Sequence, residues 1–229
     1  MTVVLYDLVG RDDRRFSPHC WRTRMALAHK GLAYEARATR FTDIPRIGNG
    51  QVKTVPAIAD GERLIGDSWA IAQHLEATYP ERPSLFGGAG GEAVTRFVQS
   101  WCMAVLHPGL IGLMLLDIYE HLAPEDQDYF RTSREQRFGR TLEEVQAGRE
   151  ARLPEVRKSL QPLRLTLQDA PFLGGARPLY ADYLVFGALQ WARVISPFRV
   201  LEADDAVTAW FERCLDLHGG LGRRQAGYW

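Results

Sequence analysis

Apolar positions in this chain of 229 residues change their period near residue 90. Before it, short runs fit strands and hairpins. Residues 2–8 (TVVLYDL) are β-branched, aromatic and apolar, which predicts a buried strand. An Arg-rich polar loop follows over residues 9–16. Ser17 then precedes Pro18, and Ser as N-cap with Pro at the first helical position predicts a helix over 18–29, with Trp21, Met25 and Ala28 at helical spacing and Gly31 as the stop. Tyr34, Ala36 and Ala38 alternate with charged residues, as in a strand, and residues 41–51 are irregular. Apolar runs at 57–59 and 63–65 flank Asp60-Gly61, a hairpin signal, and lead straight into a helix over 68–79.

Pro80, Pro83 and the run Gly87-Gly88-Ala89-Gly90-Gly91 mark a linker. Beyond it the apolar residues keep helical spacing. Helices are predicted over 93–122, kinked or divided at Pro108, and over 125–142, 153–168, 181–195 and 205–217. The fold class expected is therefore α/β plus all-α. An N-terminal domain spans residues 1–82, a linker 83–92, and an all-helical C-terminal domain 93–229.

Composition narrows the functional classes. Acidic and basic residues balance, 28 against 28, so nucleic acid and anionic membrane surfaces are poor partners. The three cysteines, Cys20, Cys102 and Cys214, are odd in number and widely spaced, indicating neither a disulfide framework nor a zinc site. No charged-then-apolar leader precedes the first strand. The most apolar stretch, 110–116, is far too short to span a bilayer. The expectation is a cytoplasmic protein without a metal.

Candidate chemistry centres on residues 54–75. Val55 precedes Pro56, and if that bond is cis the Val55 N–H and C=O face outward, where an extended peptide could pair with them. Asp67 and Ser68 stand at the strand-to-helix junction. The positive end of a helix dipole, free N–H groups and the Ser hydroxyl would there hold a carboxylate, and Asp67 could receive an ammonium group. A small zwitterionic peptide fits such a site.

These features, the Val55-Pro56 hairpin followed by Asp67-Ser68 and then an all-helical domain, resemble the glutathione transferase family over essentially the whole chain. Several runs are similar to one branch, the bacterial beta-etherases and related fungal-type transferases: Ser17-Pro18 with Trp21-Arg22-Thr23, Asp67-Ser68-Trp69, Ser133-Arg134-Glu135-Gln136, residues 145–150 (VQAGRE) with Arg152-Leu153-Pro154, and Gly219-Gly220-Leu221-Gly222-Arg223. The resemblance implies a thioredoxin-like first domain, glutathione as co-substrate, a homodimer, and a small hydrophobic aromatic acceptor. It implies Ser17 as the catalytic residue and Lys53, Val55, Pro56, Asp67 and Ser68 as glutathione-binding residues. Two departures stand out: His19-Cys20 replaces an aromatic and an apolar residue, and Leu179 replaces the Ser, Thr or Asn that usually caps the helix containing Asp182.

A glutathione thiol has a pKa near ~8.5, so the protein must favour the thiolate, and a Ser17 hydroxyl at a helix start would do so by donating to it. From spacing alone Ser17 reads as an N-cap, the resemblance favours the catalytic role, and both can hold together. Cys20 occupies the second sulfur position of a Cys-x-x-Cys motif whose first sulfur is Ser17, which argues for inert packing over disulfide exchange. His19 could face the peptide site or solvent, and Lys53 could pair with the glycine carboxylate or be solvated. Trp101, Cys102, Val105 and His107 could line an acceptor pocket or belong to the core. The resulting expectation is a transferase in which the thiolate attacks an electrophilic carbon, with beta-aryl ether cleavage as one form. The alternatives are a glutathione-dependent isomerase, another acceptor, or a catalytically silent binding protein. A hydrolase reading of Gly66-Asp67-Ser68-Trp69-Ala70 fails because the strands stop near Ile65.

Overall fold

The computed structural model describes residues 2–229. Its first half is a four-stranded mixed sheet in the order β2-β1-β3-β4, where β1 is Val3–Leu8, β2 Tyr34–Thr39, β3 Ala57–Asp60 and β4 Arg63–Gly66. β1 pairs in parallel with β2 from Val3↔Tyr34 to Leu8↔Thr39, which requires the crossover supplied by α1 (Pro18–His29). β3 runs antiparallel to β1, with Leu5 opposite Ile58, and turns at Asp60-Gly61 into β4. α2 (Ser68–Thr78) follows β4 directly. Residues 41–50 form tight 3-10 turns. Asp126 of the helical half fixes their start by accepting the backbone N–H groups of Phe41 and Thr42, each at 3.0 Å.

The helical half comprises α3 (Ala89–Trp101), α4 (His107–Glu120), α5 (Pro124–Phe138), α6 (Leu142–Gln146), α7 (Arg149–Ser159), α8 (Gln161–Asp169), α9 (Tyr180–Ile195) and α10 (Ala206–Gly220). α9 is its core: every residue from Tyr180 to Ile195 is buried. A helix enclosed on all sides must be lined by small residues where another backbone crosses it. Gly187 meets that need, since a Cβ there would lie 2.4 Å from the Pro18 carbonyl oxygen. That contact seats the start of α1 on the helical half. At the head of α9, Leu179 offers no cap of its own. Asp182 replaces it, accepting the N–H groups of Leu179, Gly174 and Leu173 and the Trp210 indole at 2.8–3.0 Å.

Several helices depart from their predicted bounds. α3 begins inside the glycine run, because Gly91 lets the chain pass so close to the Phe86 carbonyl that a Cβ would lie 1.8 Å from its oxygen. Between α3 and α4, Cys102–Leu106 form a π turn, which accommodates Pro108 without ending the helix. The helical run Ala89–Glu120 is thus 32 residues long. By length and composition it could cross a membrane, contrary to the short apolar stretch read from the sequence, but half of its apolar window is buried within the protein. α5 stops at Gly139 (φ +66°), where an αL residue closes the last turn, and Thr141 with Glu144 starts α6 through a capping box. The predicted 153–168 helix begins earlier, at Arg149, and divides at Leu160, ahead of Pro162.

Candidate active site

The loop before Ser17 is pinned to β1. Asp7, at the carboxyl end of that strand, is 1 % exposed and faces the guanidinium groups of Arg15 (3.2 Å) and Arg24 (3.4 Å). Burial raises its carboxyl above the usual range, against the pull of both arginines. The Arg15 carbonyl accepts the Trp21 indole N–H at 2.9 Å, tying the loop to the helix it introduces. Ser17 is buried as the N-cap of α1, and its Oγ accepts the Cys20 N–H at 3.2 Å. A hydroxyl that accepts in this way still has its own hydrogen to donate. Cap and donor are compatible roles.

Cys20 lies beneath Ser17, 1 % exposed, where its sulfur accepts the Leu8 N–H at 3.4 Å. Burial first, and the adjacent Asp7 second, push the thiol well above its ordinary pKa. It is a protonated packing residue in this setting.

The hairpin brings a second set of groups forward. The Val55-Pro56 peptide bond is cis, and the β3–β4 ladder starts only at Ala57↔Gly66, so Val55 stands outside it. Asp67 caps α2 at φ +68°, and its Oδ1 accepts the N–H groups of Trp69 and Ala70, both at 3.0 Å. Those two donors are therefore taken. A carboxylate arriving at this helix start would be left with the N–H and hydroxyl of Ser68, rather than the open row of donors the sequence suggested. Ser68 is buried, and its carbonyl accepts the Tyr180 hydroxyl at 2.7 Å, locking α2 to α9. Lys53 is exposed and forms no ion pair among the described residues.

The predicted acceptor set divides. Cys102 is fully buried, its thiol pushed up to about 12 by burial. Trp101 is half-buried and Val105 is exposed. Of the four, His107 is the one that hydrogen-bonds a side chain of α1 among the described residues. Its Nε2 lies 2.9 Å from Arg22, whose other terminal nitrogen is 3.1 Å from His19 Nδ1. Arg22 and His107 were not paired by any sequence signal, since 85 positions separate them. Two surface hollows of about 490 and 470 Å3, one around Arg164 and Asp205 and the other around Gly10 and Arg40, touch none of Ser17, Val55 or Ser68. The described residues hold no group of three or more His, Cys, Asp or Glu able to bind a metal.

A mixed four-stranded sheet with a helix-capping serine, a cis-proline hairpin and an acidic-serine helix start, carried on an all-helical second half, defines a thioredoxin-like domain joined to a helical one. The family described as glutathione S-transferase, N-terminal domain, matches residues 13–83, and that described as glutathione S-transferase, C-terminal domain, matches residues 93–217. The chain belongs to the glutathione S-transferase family. It is 26% identical over 216 residues to the glutathione S-transferase-like protein ustS of Aspergillus flavus, covering 82% of this chain and 78% of that one. It is 28% identical over 116 residues to maleylacetoacetate isomerase of Dictyostelium discoideum, 46% of this chain and 51% of that protein, so this match spans about half of either. Among solved structures, a glutathione S-transferase of Ceriporiopsis subvermispora in complex with glutathione superposes with a TM-score of 0.78 at 24% identity, covering 98% of this chain and 95% of the other.

Proposed function

We propose that this protein is a cytoplasmic, homodimeric glutathione transferase that joins the glutathione sulfur to a hydrophobic aromatic acceptor. The observation that carries the reading is Ser17, a helix-capping hydroxyl whose oxygen accepts the Cys20 N–H and whose own hydrogen could be donated to a thiolate. Val55 and Pro56 would pair with the peptide backbone of glutathione. Ser68 would take its γ-glutamyl carboxylate, Asp67 its ammonium and Lys53 its glycine carboxylate. The thiolate then attacks an electrophilic carbon. In the beta-etherase form a C–S bond forms as the C–O bond breaks, and the phenolate leaves with the electron pair to be protonated by water. Exposed Val94 (65 %) and Phe97 (74 %) on α3 support a contact with a second copy.

A panel of aryl-ether ketones and halogenated aromatics, with and without glutathione, tests the chemistry through the mass of the thioether product. Site assignment is tested by Asp67→Asn and Ser68→Ala. Losing a charge-assisted partner costs ~1.5 to 3 kcal/mol, so glutathione affinity should fall on the order of 10- to 100-fold by calorimetry. Wild-type affinity in both variants would refute the assignment. The isomerase relative favours a second reading, in which glutathione is regenerated with a rearranged substrate; unchanged glutathione together with isomerised product would select it.

A further inference from the structure

Arg22 is 0 % exposed, and no carboxylate in the described residues forms an ion pair with it. Burying a guanidinium without a paired carboxylate is costly, and burial pulls this group down from its usual pKa against the weaker influence of Asp67. Its two terminal nitrogens meet imidazoles instead: His19 Nδ1 at 3.1 Å from the first turn of α1, and His107 Nε2 at 2.9 Å from the start of α4. A guanidinium can only donate, so both ring nitrogens must accept. Each neutral ring then carries its hydrogen on the other nitrogen, Nε2 of His19 and Nδ1 of His107.

Neither of those N–H groups has a partner among the described residues, and neither is among the polar atoms sealed from solvent. The rings lie 5.3 Å apart, centroid to centroid, at 44°. Burial and the Arg22 charge keep both unprotonated, His107 with a pKa of about 3. Around them, Arg22 Nε and the Trp191 indole Nε1 are buried without partners, and Trp191 packs on His107 at 5.7 Å. Met103, 44 % exposed and with its sulfur 4.0 Å from Arg22, adds an apolar surface. The only carboxylate among the described residues acting on Arg22, Asp67, does so without an ion pair, and the arrangement sets the guanidinium charge behind two unpartnered donors, one of them two residues along α1 from Ser17.

We propose that His19 and His107, each held by Arg22 in the tautomer that leaves one N–H free, form a donor pair that binds a carboxylate on the acceptor substrate beside the glutathione sulfur. The inference rests on the transferase reading for its placement next to the sulfur, but the anion site stands on the Arg22 geometry. Arg22 and the two imidazoles thus select aromatic acids over neutral aromatics of the same shape. The two imidazoles contact the ligand; Arg22 is a positioning residue acting through them.

Calorimetry on the full chain, with glutathione bound and without it, would compare biphenyl-4-carboxylate with its methyl ester. The carboxylate should bind about 10-fold or more tightly than the ester, as a charge-assisted pair of hydrogen bonds allows. His107→Phe and His19→Phe should each bring that ratio close to one. His107→Gln, which keeps an N–H donor, should restore part of it, a recovery that mere packing of the imidazole would not give. Equal binding of acid and ester by wild type, or a ratio unchanged in both Phe variants, would overturn the proposal. A further outcome would also overturn it: His107→Phe raising the ultraviolet titration of the bound glutathione thiol while leaving the acid-to-ester ratio intact, which would assign the charge to the sulfur. Failure of the transferase reading is separable, because it shows as no glutathione binding while the acid-to-ester ratio is still measured on the free protein.

Discussion

The Ser17 hydroxyl oxygen accepts the Cys20 backbone N–H at 3.2 Å and so caps α1, and the proposed function asks the same hydroxyl to donate its hydrogen to the sulfur of glutathione. Substitutions separate the two roles. Ser17→Ala removes both and should cost about 1 kcal/mol of stability as a lost cap, whereas Ser17→Gly costs only a few tenths as a cap while still removing the hydroxyl. Both should move the thiolate absorbance of the bound glutathione to higher pH. If Ser17→Gly titrates like wild type, the hydroxyl has no part in holding the thiolate.

Cys20→Ser examines the sulfur beneath that cap. The thiol is buried, held protonated and engaged by the Leu8 N–H, an interaction that a Ser hydroxyl can also accept. Turnover should stay within a few-fold and the unfolding midpoint should drop slightly. Intact mass after incubation of wild type with oxidised glutathione should show no adduct at Cys20. A stoichiometric adduct with a dead Cys20→Ser enzyme would move the chemistry to disulfide exchange.

The first half of the fold was legible because its signals are local. Ser17-Pro18 starts α1, Asp60-Gly61 turns the hairpin, and Gly31 follows the end of a helix, each within a few residues of the element it bounds. The second half was legible in kind but not in detail. The stop at Gly139 lies inside a segment of unbroken helical spacing, and the π turn spreads the effect of Pro108 over the preceding residues. Motif runs that pointed to a branch also have another use. Arg134 stacks on Phe130 at 4.5 Å, and Gly222 accepts the Gln190 amide at 2.9 Å while fitting under Phe186. Such residues hold the helical half together, which is why their resemblance says little about the acceptor. The Arg22, His19 and His107 cluster was out of reach for the opposite reason: no periodicity links α1 to α4.

Gln146, inside the VQAGRE run, illustrates the point and gives a test. Met114 leaves helical geometry at φ −146°, which frees backbone donors downstream, and Gln146 Oε1 accepts the N–H groups of Leu116 (2.9 Å) and Asp117 (3.3 Å). Its amide donates to Asp117 Oδ1 at 2.7 Å, and Arg149 pairs with Oδ2 at 2.8 Å. Gln146→Ala should strand those groups and cost about 1–3 kcal/mol in urea unfolding, with little change in glutathione affinity. Loss of glutathione binding in a fully folded variant would contradict a structural role.

His218 supplies the pH dependence. Its Nε2 lies 3.0 Å from the Tyr183 hydroxyl, which lies 2.7 Å from His29 Nδ1, and His29 Nε2 meets the Ser84 carbonyl at 3.0 Å, so the chain of bonds ties α10 and α9 to α1. Burial and the neighbouring His29 lower His218 from 6.5 to about 4. The unfolded chain therefore binds the proton first as pH falls, and by linkage the stability present above pH ~6.5 is lost progressively as the pH drops toward ~4. His29, His19, His107 and His121 are lowered as well, so His218 accounts for part of the slope. His218→Asn, chosen because Asn tolerates the positive φ of 53° at this position, should give a shallower loss of the urea midpoint between those two pH values. Parallel curves for the variant and wild type would show that His218 does not titrate with folding.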